Sequence, residues 1–345
     1  MRVVSKTLWA ALLVCMSGLR ATAEDHIIRF DPALDDILAP TAEIKLLAKG
    51  FVWSEGPAWD KKRKRLYFSD VPENKAYVWS PEDGVAVFLD PSGHPGESRK
   101  GFREPGSNGL LMASDDQLLI ANHGARAVEI YSLLTGRRET LTGRYQGRRL
   151  NSPNDIALAP DGTLYFTDPP YGLEGIDASP LKEQPHNGVY ALGETADPVL
   201  VDDELSFPNG LAVSPDGTLL YVAVSDPASP TIYRYTKAAQ GSDVTDADVP
   251  QFAGREVFFD ASSYLAKGWP GLPDGMAVAS SGHIFATGPG GVFILAPNGK
   301  ALGLIRLDRP TANCAFGLDG KTLFITSADR LLSINTLATG ANWRD

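Results

Sequence analysis

A chain of 345 residues holds one large domain or two ordinary ones, and 43% hydrophobic with 21% charged residues is the composition of a soluble protein with a packed core. Its 34 Gly and 25 Pro favour many short strands joined by turns over a helical build. A net charge of −10 repels polyanions, which excludes a nucleic-acid binder and a protein held on anionic lipid, and suits a cation or a neutral ligand.

The first segment reads as an export signal. Arg2 and Lys6 give a positive start, Leu8 to Met16 is an apolar run, and Ala21-Thr22-Ala23 is the small-x-small pattern that a signal peptidase accepts. The run is too short to cross a bilayer as a helix. Cleavage after Ala23 is expected, leaving residues 24–345 as one periplasmic or secreted domain without membrane attachment. The cut removes Arg2, Lys6 and Arg20 and no acidic residue, so the net charge moves from −10 to −13. Only Cys314 remains, so no intrachain disulfide can form, and a lone cysteine of this kind reads as a small buried apolar residue. The expected state is a monomer or a weak homodimer.

Within residues 24–54 an apolar patch at Ile44 to Leu47 predicts an outer strand that closes a ring onto the last repeat. A unit then recurs: an acidic or amide residue, a small residue, an apolar run, a turn, and a β-rich run. The copies begin at Glu55-Gly56, Asn108-Gly109, Asn154-Asp155, Asn209-Gly210, Asp274-Gly275 and Asn313-Cys314. Turns such as Pro160-Asp161-Gly162, Pro215-Asp216-Gly217 and Leu318-Asp319-Gly320 follow at a nearly fixed distance. Strand-like runs come next: Leu66-Tyr67-Phe68, Leu118-Leu119-Ile120, Leu164-Tyr165-Phe166, Leu220-Tyr221-Val222, His283-Ile284-Phe285 and Leu323-Phe324-Ile325. Each hairpin leads into further strand, as in Ala127 to Leu133 or Gly291 to Leu295. Six such units, with no sustained helical periodicity, predict an all-β fold: a six-bladed β-propeller with a central metal-binding channel.

In a propeller the innermost strands line the channel, and equivalent positions share one ring. The six first residues, Glu55, Asn108, Asn154, Asn209, Asp274 and Asn313, therefore converge, and all carry oxygen donors. Asn or Asp before Gly also favours turns, but a turn role does not account for Glu55. Carboxylate and amide oxygens in a ring suit a hard cation, and two carboxylates balance a dication. Ca²⁺ fits first, with Zn²⁺, Mn²⁺ or Mg²⁺ as alternatives.

With these residues in view, the sequence resembles the SMP-30/gluconolactonase family of calcium-dependent six-bladed propellers. The motifs are Trp53-Ser-Glu55-Gly-Pro57, Phe102-Arg-Glu-Pro-Gly-Ser-Asn108-Gly, Asn151-Ser-Pro-Asn154-Asp155, Phe166-Thr-Asp168-Pro-Pro-Tyr171-Gly172, Pro208-Asn209-Gly210-Leu211, Leu272-Pro-Asp274-Gly275-Met276 and Pro289-Gly-Gly-Val292. The resemblance implies Glu55, Asn154, Asn209 and Asp274 as metal ligands, and Asp274 as the group that activates water. It implies hydrolysis of glucono-1,5-lactone or a related aldonolactone, with other relatives acting on aryl esters or organophosphates.

Ester hydrolysis needs a polarised carbonyl and an activated water. Asn154 and Asn108 are expected to hold substrate hydroxyls or the carbonyl. Arg103, Glu104, Asp168, Tyr171 and His123 lie in loops that would rim the pocket. His123 reads first as a solvent-exposed loop residue, with proton relay as its other reading. No Gly-x-Ser-x-Gly elbow or His-Glu-x-x-His motif supports a covalent or zinc-protease route. An arylesterase or phosphotriesterase on the same fold, or a non-catalytic propeller binding module, are the alternatives. The polar, Gly- and Arg-rich loops at Ser92 to Ser107 and Tyr145 to Asn151 favour a sugar.

Overall fold

The computed structural model describes residues 26–96, 98–193, 197–238 and 252–341. The predicted signal segment, residues 1–23, lies outside the described residues. The rest is nearly all strand, arranged as six antiparallel sheets around a channel. Their innermost strands are Ser54–Asp60, Ser107–Ser114, Ile156–Leu158, Pro208–Val213, Met276–Val278 and Asn313–Gly317, each starting within two residues of the first residue of the recurring unit.

The second strand of each blade reads as an unbroken apolar run because both its faces are buried. In Arg65–Asp70, Leu66 and Phe68 pack on Phe324 and Leu331 of blade six, while Tyr67 between them packs on Leu110, Leu118 and Ile120 of blade two. In Leu164–Asp168, Leu164 and Phe166 meet Leu119 and Ala121 of blade two, and Tyr165 meets Leu220 and Val222 of blade four. The core is thus a series of face-to-face seams between blades.

Closure follows the expected route. Ile44–Lys49 pairs antiparallel with Arg330–Asn335, matching Ile44 to Ile334, and so adds an N-terminal outer strand to the three C-terminal strands of blade six. Trp59 stacks on Phe324 across the same seam, with ring centroids 5.5 Å apart. A second N-terminal strand, His26–Arg29, went unforeseen: it pairs with Ala301–Arg306 and gives blade five a fifth strand. Arg144–Tyr145 and Arg148–Arg149 form a small separate hairpin where only a polar loop was expected.

Innermost strands begin at the face where loops between blades arrive, and run toward the face carrying the first hairpin turns. The six recurring residues therefore sit together at one mouth of the channel.

Candidate active site at the channel mouth

The glycine that follows four of the ring residues has a packing role. Gly109, Gly210 and Gly275 avoid positive φ. What they need is space: a Cβ on Gly210 would lie 2.1 Å from the Asp274 carbonyl oxygen, one on Gly109 2.7 Å from that of Asn154, and one on Gly275 2.0 Å from the Asn313 side chain. A Cβ on Gly56, at φ +48, would lie 2.2 Å from the Asn108 carbonyl oxygen. Each glycine lets its blade abut the next one at ring level. Hydroxyls on the second strands tie the same level together. Ser69 donates to the Asn108 carbonyl at 2.8 Å, Thr167 to that of Asn209 at 2.6 Å, and Thr287 to that of Ala312 at 3.0 Å.

Three of the ring residues bond one another. Asn108 Nδ2 donates to Asn154 Oδ1 at 2.9 Å, Asn154 Nδ2 donates to Asn209 Oδ1 at 2.5 Å, and Asn209 Nδ2 donates to Ser225 Oγ at 2.8 Å. Glu55 completes the group from blade one. It is buried, and among the described residues it accepts from Gly56 N at 3.1 Å and Trp53 Nε1 at 3.4 Å. Burial pushes Glu55 up to about 8, with the Asp155 charge adding to it. Burial and then the Glu55 charge hold Asp274 well above the ordinary carboxylate range, so the two carboxylates face one field. Asn313 differs from expectation. Its Oδ1 accepts from Cys314 N at 2.8 Å and its amide bonds Asp155, so its side chain is turned away from the other five.

Asp155 is the acidic residue that the repeat analysis passed over. It stands where four other blades have Gly, buried, with Oδ1 accepting from Ile156 N at 2.9 Å and Oδ2 from Leu211 N of blade four at 3.4 Å. Burial raises it to about 7. The break in the Gly pattern was the available signal.

The loops bring the predicted rim residues to the ring, with one correction. His123 is wholly buried, not a solvent-exposed loop residue, because it closes the second strand of blade two directly against the ring. Its Nε2 lies 3.3 Å from both Asn154 Oδ1 and Asn108 Nδ2, and its Nδ1 has no hydrogen bond, with Glu104 Oε2 3.6 Å away. Burial lowers its pKa to about 4, so the imidazole is neutral at physiological pH. Glu104 is pushed by burial to about 7, opposed by Arg103, which pairs with it at 3.0 Å from a half-exposed position. Tyr171 stacks on Phe207 at 5.9 Å, and its buried hydroxyl stands beside Ser225 without a well-formed hydrogen bond. Burial and then the Asp274 charge raise its pKa. Asp168 serves the scaffold: its Oδ2 accepts from Asn151 N at 2.7 Å and holds the loop that delivers Asn154.

A cavity of about 980 Å³ fills the channel on the other side of the ring. It reaches ring level at Gly56, Asp155 and Asn313 and runs past Leu111, Ala113 and Val213 to Lys61 and Asp115. Glu104, His123 and Tyr171 take no part in its wall. The titratable groups gather at the opposite mouth, and that mouth is the candidate active site.

The donor chemistry fits a hard cation. Glu55 and Asp274 are inward carboxylates with no Lys or Arg paired to them at ring level among the described residues. Uncompensated buried charge of this kind is costly. Asn209 Oδ1 retains a lone pair beyond the amide bond it accepts, and Asn154 Oδ1, which accepts from Asn108, has His123 Nε2 at 3.3 Å as its second neighbour. No group of three His, Cys, Asp or Glu side chains among the described residues is disposed to hold a metal, so a cation here would take part of its shell from amide oxygens.

Crowded carboxylates set a pH signature. The raised values of Glu55, Glu104 and Asp155 mean that the metal-free fold binds more protons than the unfolded chain between roughly pH 4.5 and 7–8. Their contribution to stability is complete below the unfolded values and is lost as pH rises through the folded ones. His123 acts oppositely, its contribution being lost as pH falls from about 6.5 to 4. Calorimetric melts of chelated protein are therefore expected to show a falling midpoint from pH 6 to 9, restored by excess Ca²⁺. A flat profile would mean that these carboxylates are not held in a common field.

Fold and site together define a six-bladed propeller whose channel mouth is built to hold a small polar ligand. Residues 53–329 match the family described as the SMP-30/Gluconolactonase/LRE-like region, and the chain belongs to that family. It is 40% identical over 337 residues to the gluconolactonase of Zymomonas mobilis, spanning 97% of this chain and 92% of that one. It is 25% identical over 281 residues to a pentonolactonase of Haloferax volcanii, spanning 79% and 81% of the two chains. A solved gluconolactonase from Xanthomonas campestris superposes with a TM-score of 0.74 at 31% identity, covering 90% of this chain and 95% of the other. The protein is a lactone-hydrolysing enzyme.

Proposed function

We propose that this enzyme hydrolyses a sugar lactone, glucono-1,5-lactone or a related aldonolactone, to the aldonic acid, using a divalent cation held by Glu55, Asn154, Asn209 and Asp274, with Ca²⁺ the best fit. The observation that carries the reading is the pair of unneutralised carboxylates, the buried Glu55 and the half-buried Asp274, at the channel mouth beside the ring amides. The names of the Zymomonas and Haloferax relatives, a gluconolactonase and a pentonolactonase, support the substrate class.

When bound, the cation supplies Lewis-acid polarisation of the lactone carbonyl. The protein's own groups do the rest. Asp274 takes a proton from the attacking water as its oxygen bonds the carbonyl carbon. The ring C–O bond then breaks, and the proton passes to the departing alkoxide to give the hydroxy acid. Asn108 and Asn154 orient the substrate. Above them the bare His123 Nδ1, the Tyr171 hydroxyl and the Arg103–Glu104 pair offer donors and acceptors to sugar hydroxyls. An arylester pocket would instead present aromatic walls.

The test is initial rates on aldonolactones, aryl esters and organophosphates, with and without chelator. Preferred turnover of aldonolactones that chelator abolishes and Ca²⁺ restores is expected. Aryl esters as the preferred substrates would move the reading to an arylesterase.

We also propose that the enzyme works outside the cytoplasm, on the strength of Arg2, Lys6, the Leu8 to Met16 run and Ala21-Thr22-Ala23. N-terminal sequencing of protein from the periplasm or medium is expected to begin at Glu24; a chain that keeps Met1 there would contradict it.

A further inference from the structure

We infer that Ser225 is a positioning residue whose hydroxyl sets the direction of three of the four ring amides, those of Asn209, Asn154 and Asn108, and thereby the affinity of the ring for a divalent cation. The inference rests on the cation reading above. Ser225 follows the second strand of blade four, Leu219–Val224. Its Oγ lies 2.5 Å from the Pro273 carbonyl oxygen, which can only accept, so the hydroxyl gives its one proton there. The Asn209 atom 2.8 Å from Oγ must then be a donor, which fixes it as Nδ2.

The consequence runs round the ring. With Nδ2 committed to Ser225, Asn209 turns Oδ1 toward Asn154, and an approach of 2.5 Å between two amides is attractive only if Asn154 presents Nδ2. Asn154 Oδ1 then faces blade two, and Asn108, 2.9 Å away, must present its own Nδ2. One hydroxyl with a fixed acceptor thus decides three amide orientations. It leaves the oxygens of Asn154 and Asn209 as acceptors, each polarised by a neighbouring N–H.

The position is special to this side of the ring. The register places Val71 of blade one and Ala328 of blade six at the matching point, one residue past the partner of the residue preceding the ring residue. By the same count blade two has His123, at the far end of the amide chain, and blade four has Ser225. Without the hydroxyl, Asn209 can rotate its amide at almost no change of shape and turn N–H groups toward a cation.

The test uses the full chain. Ca²⁺ binding is measured by titration calorimetry for wild type, Ser225→Ala and Ser225→Thr, beside thermal melts in chelator and rates across a Ca²⁺ series. Ser225→Ala is expected to raise the Ca²⁺ Kd by about 10–100-fold, the usual effect of losing a group that orients a ligand. Its metal-free melt should be unchanged, and saturating Ca²⁺ should restore its rate. Ser225→Thr, which keeps the hydroxyl, should bind as wild type does. Equal affinities for wild type and Ser225→Ala would overturn the inference. So would a Ser225→Ala loss that follows metal-free unfolding and is shared by Ser225→Thr, because the residue would then act through packing. Failure of the wild type itself to bind Ca²⁺ or another divalent ion would instead overturn the cation reading.

Discussion

Asp274→Asn is expected to lower lactone hydrolysis by about 10²–10⁴-fold, the range supplied by a positioned proton acceptor, and excess Ca²⁺ is expected not to restore it. The substitution keeps the shape of the side chain and removes both a ligand charge and the only ring carboxylate given a role in the chemistry. Glu55→Gln is the comparison. Glu55 lies in the same field, bonded among the described residues to Gly56 N and Trp53 Nε1, and its expected part is charge balance alone. Its loss should weaken the cation affinity, so that excess Ca²⁺ recovers much of the rate. Acid release followed across a Ca²⁺ titration separates the two. Full activity of Asp274→Asn at saturating cation would remove Asp274 as the base. Metal ligation lowers the basicity of a carboxylate, and here burial and the neighbouring charge raise it.

Gly210→Ala is expected to destabilise the fold by about 1–3 kcal/mol, the usual cost of forcing an extra carbon into a filled space. It is also expected to reduce activity well beyond what partial unfolding explains. The added Cβ would lie 2.1 Å from the Asp274 carbonyl oxygen and 2.5 Å from Gly275 Cα, both backbone atoms that cannot swing aside. Relief must come from parting blades four and five at ring level, which moves Asp274. Gly143→Ala is the control, because a Cβ there meets nothing closer than 3.5 Å. Its effect should stay within about 0.5 kcal/mol. Melts and rates on both variants check the argument, and a Gly210→Ala protein as stable and active as the control would sink it.

The architecture was legible because every blade must solve the same problem. An apolar run buried on both faces, a turn and a ring residue recur in all six units, with Gly after the ring residue in four, so their recurrence fixed the blade count and the ring. The closing strand at Ile44 was legible for a related reason, as an apolar segment outside the repeats that needed a partner. The reason for the glycine was not legible at any one position. Glycine's preference for turns is local, whereas Gly210 is required by a neighbour from another blade.

What the repeats could not report is whatever one blade does alone. His123 follows a strand in a stretch that reads as a loop, and only the packing of blade two against blade three buries it on Asn154. Asn313 belongs to the ring by sequence, yet Cys314 N and Asp155 draw its side chain away. Asp155 and Ser225 act through single contacts with Leu211, Pro273 and Asn209, which no local pattern brings together. Burial on two faces is a periodic demand and leaves a periodic trace in the sequence. A hydrogen bond between groups far apart in the chain depends on one distance and one direction, and those exist only once the ring has closed.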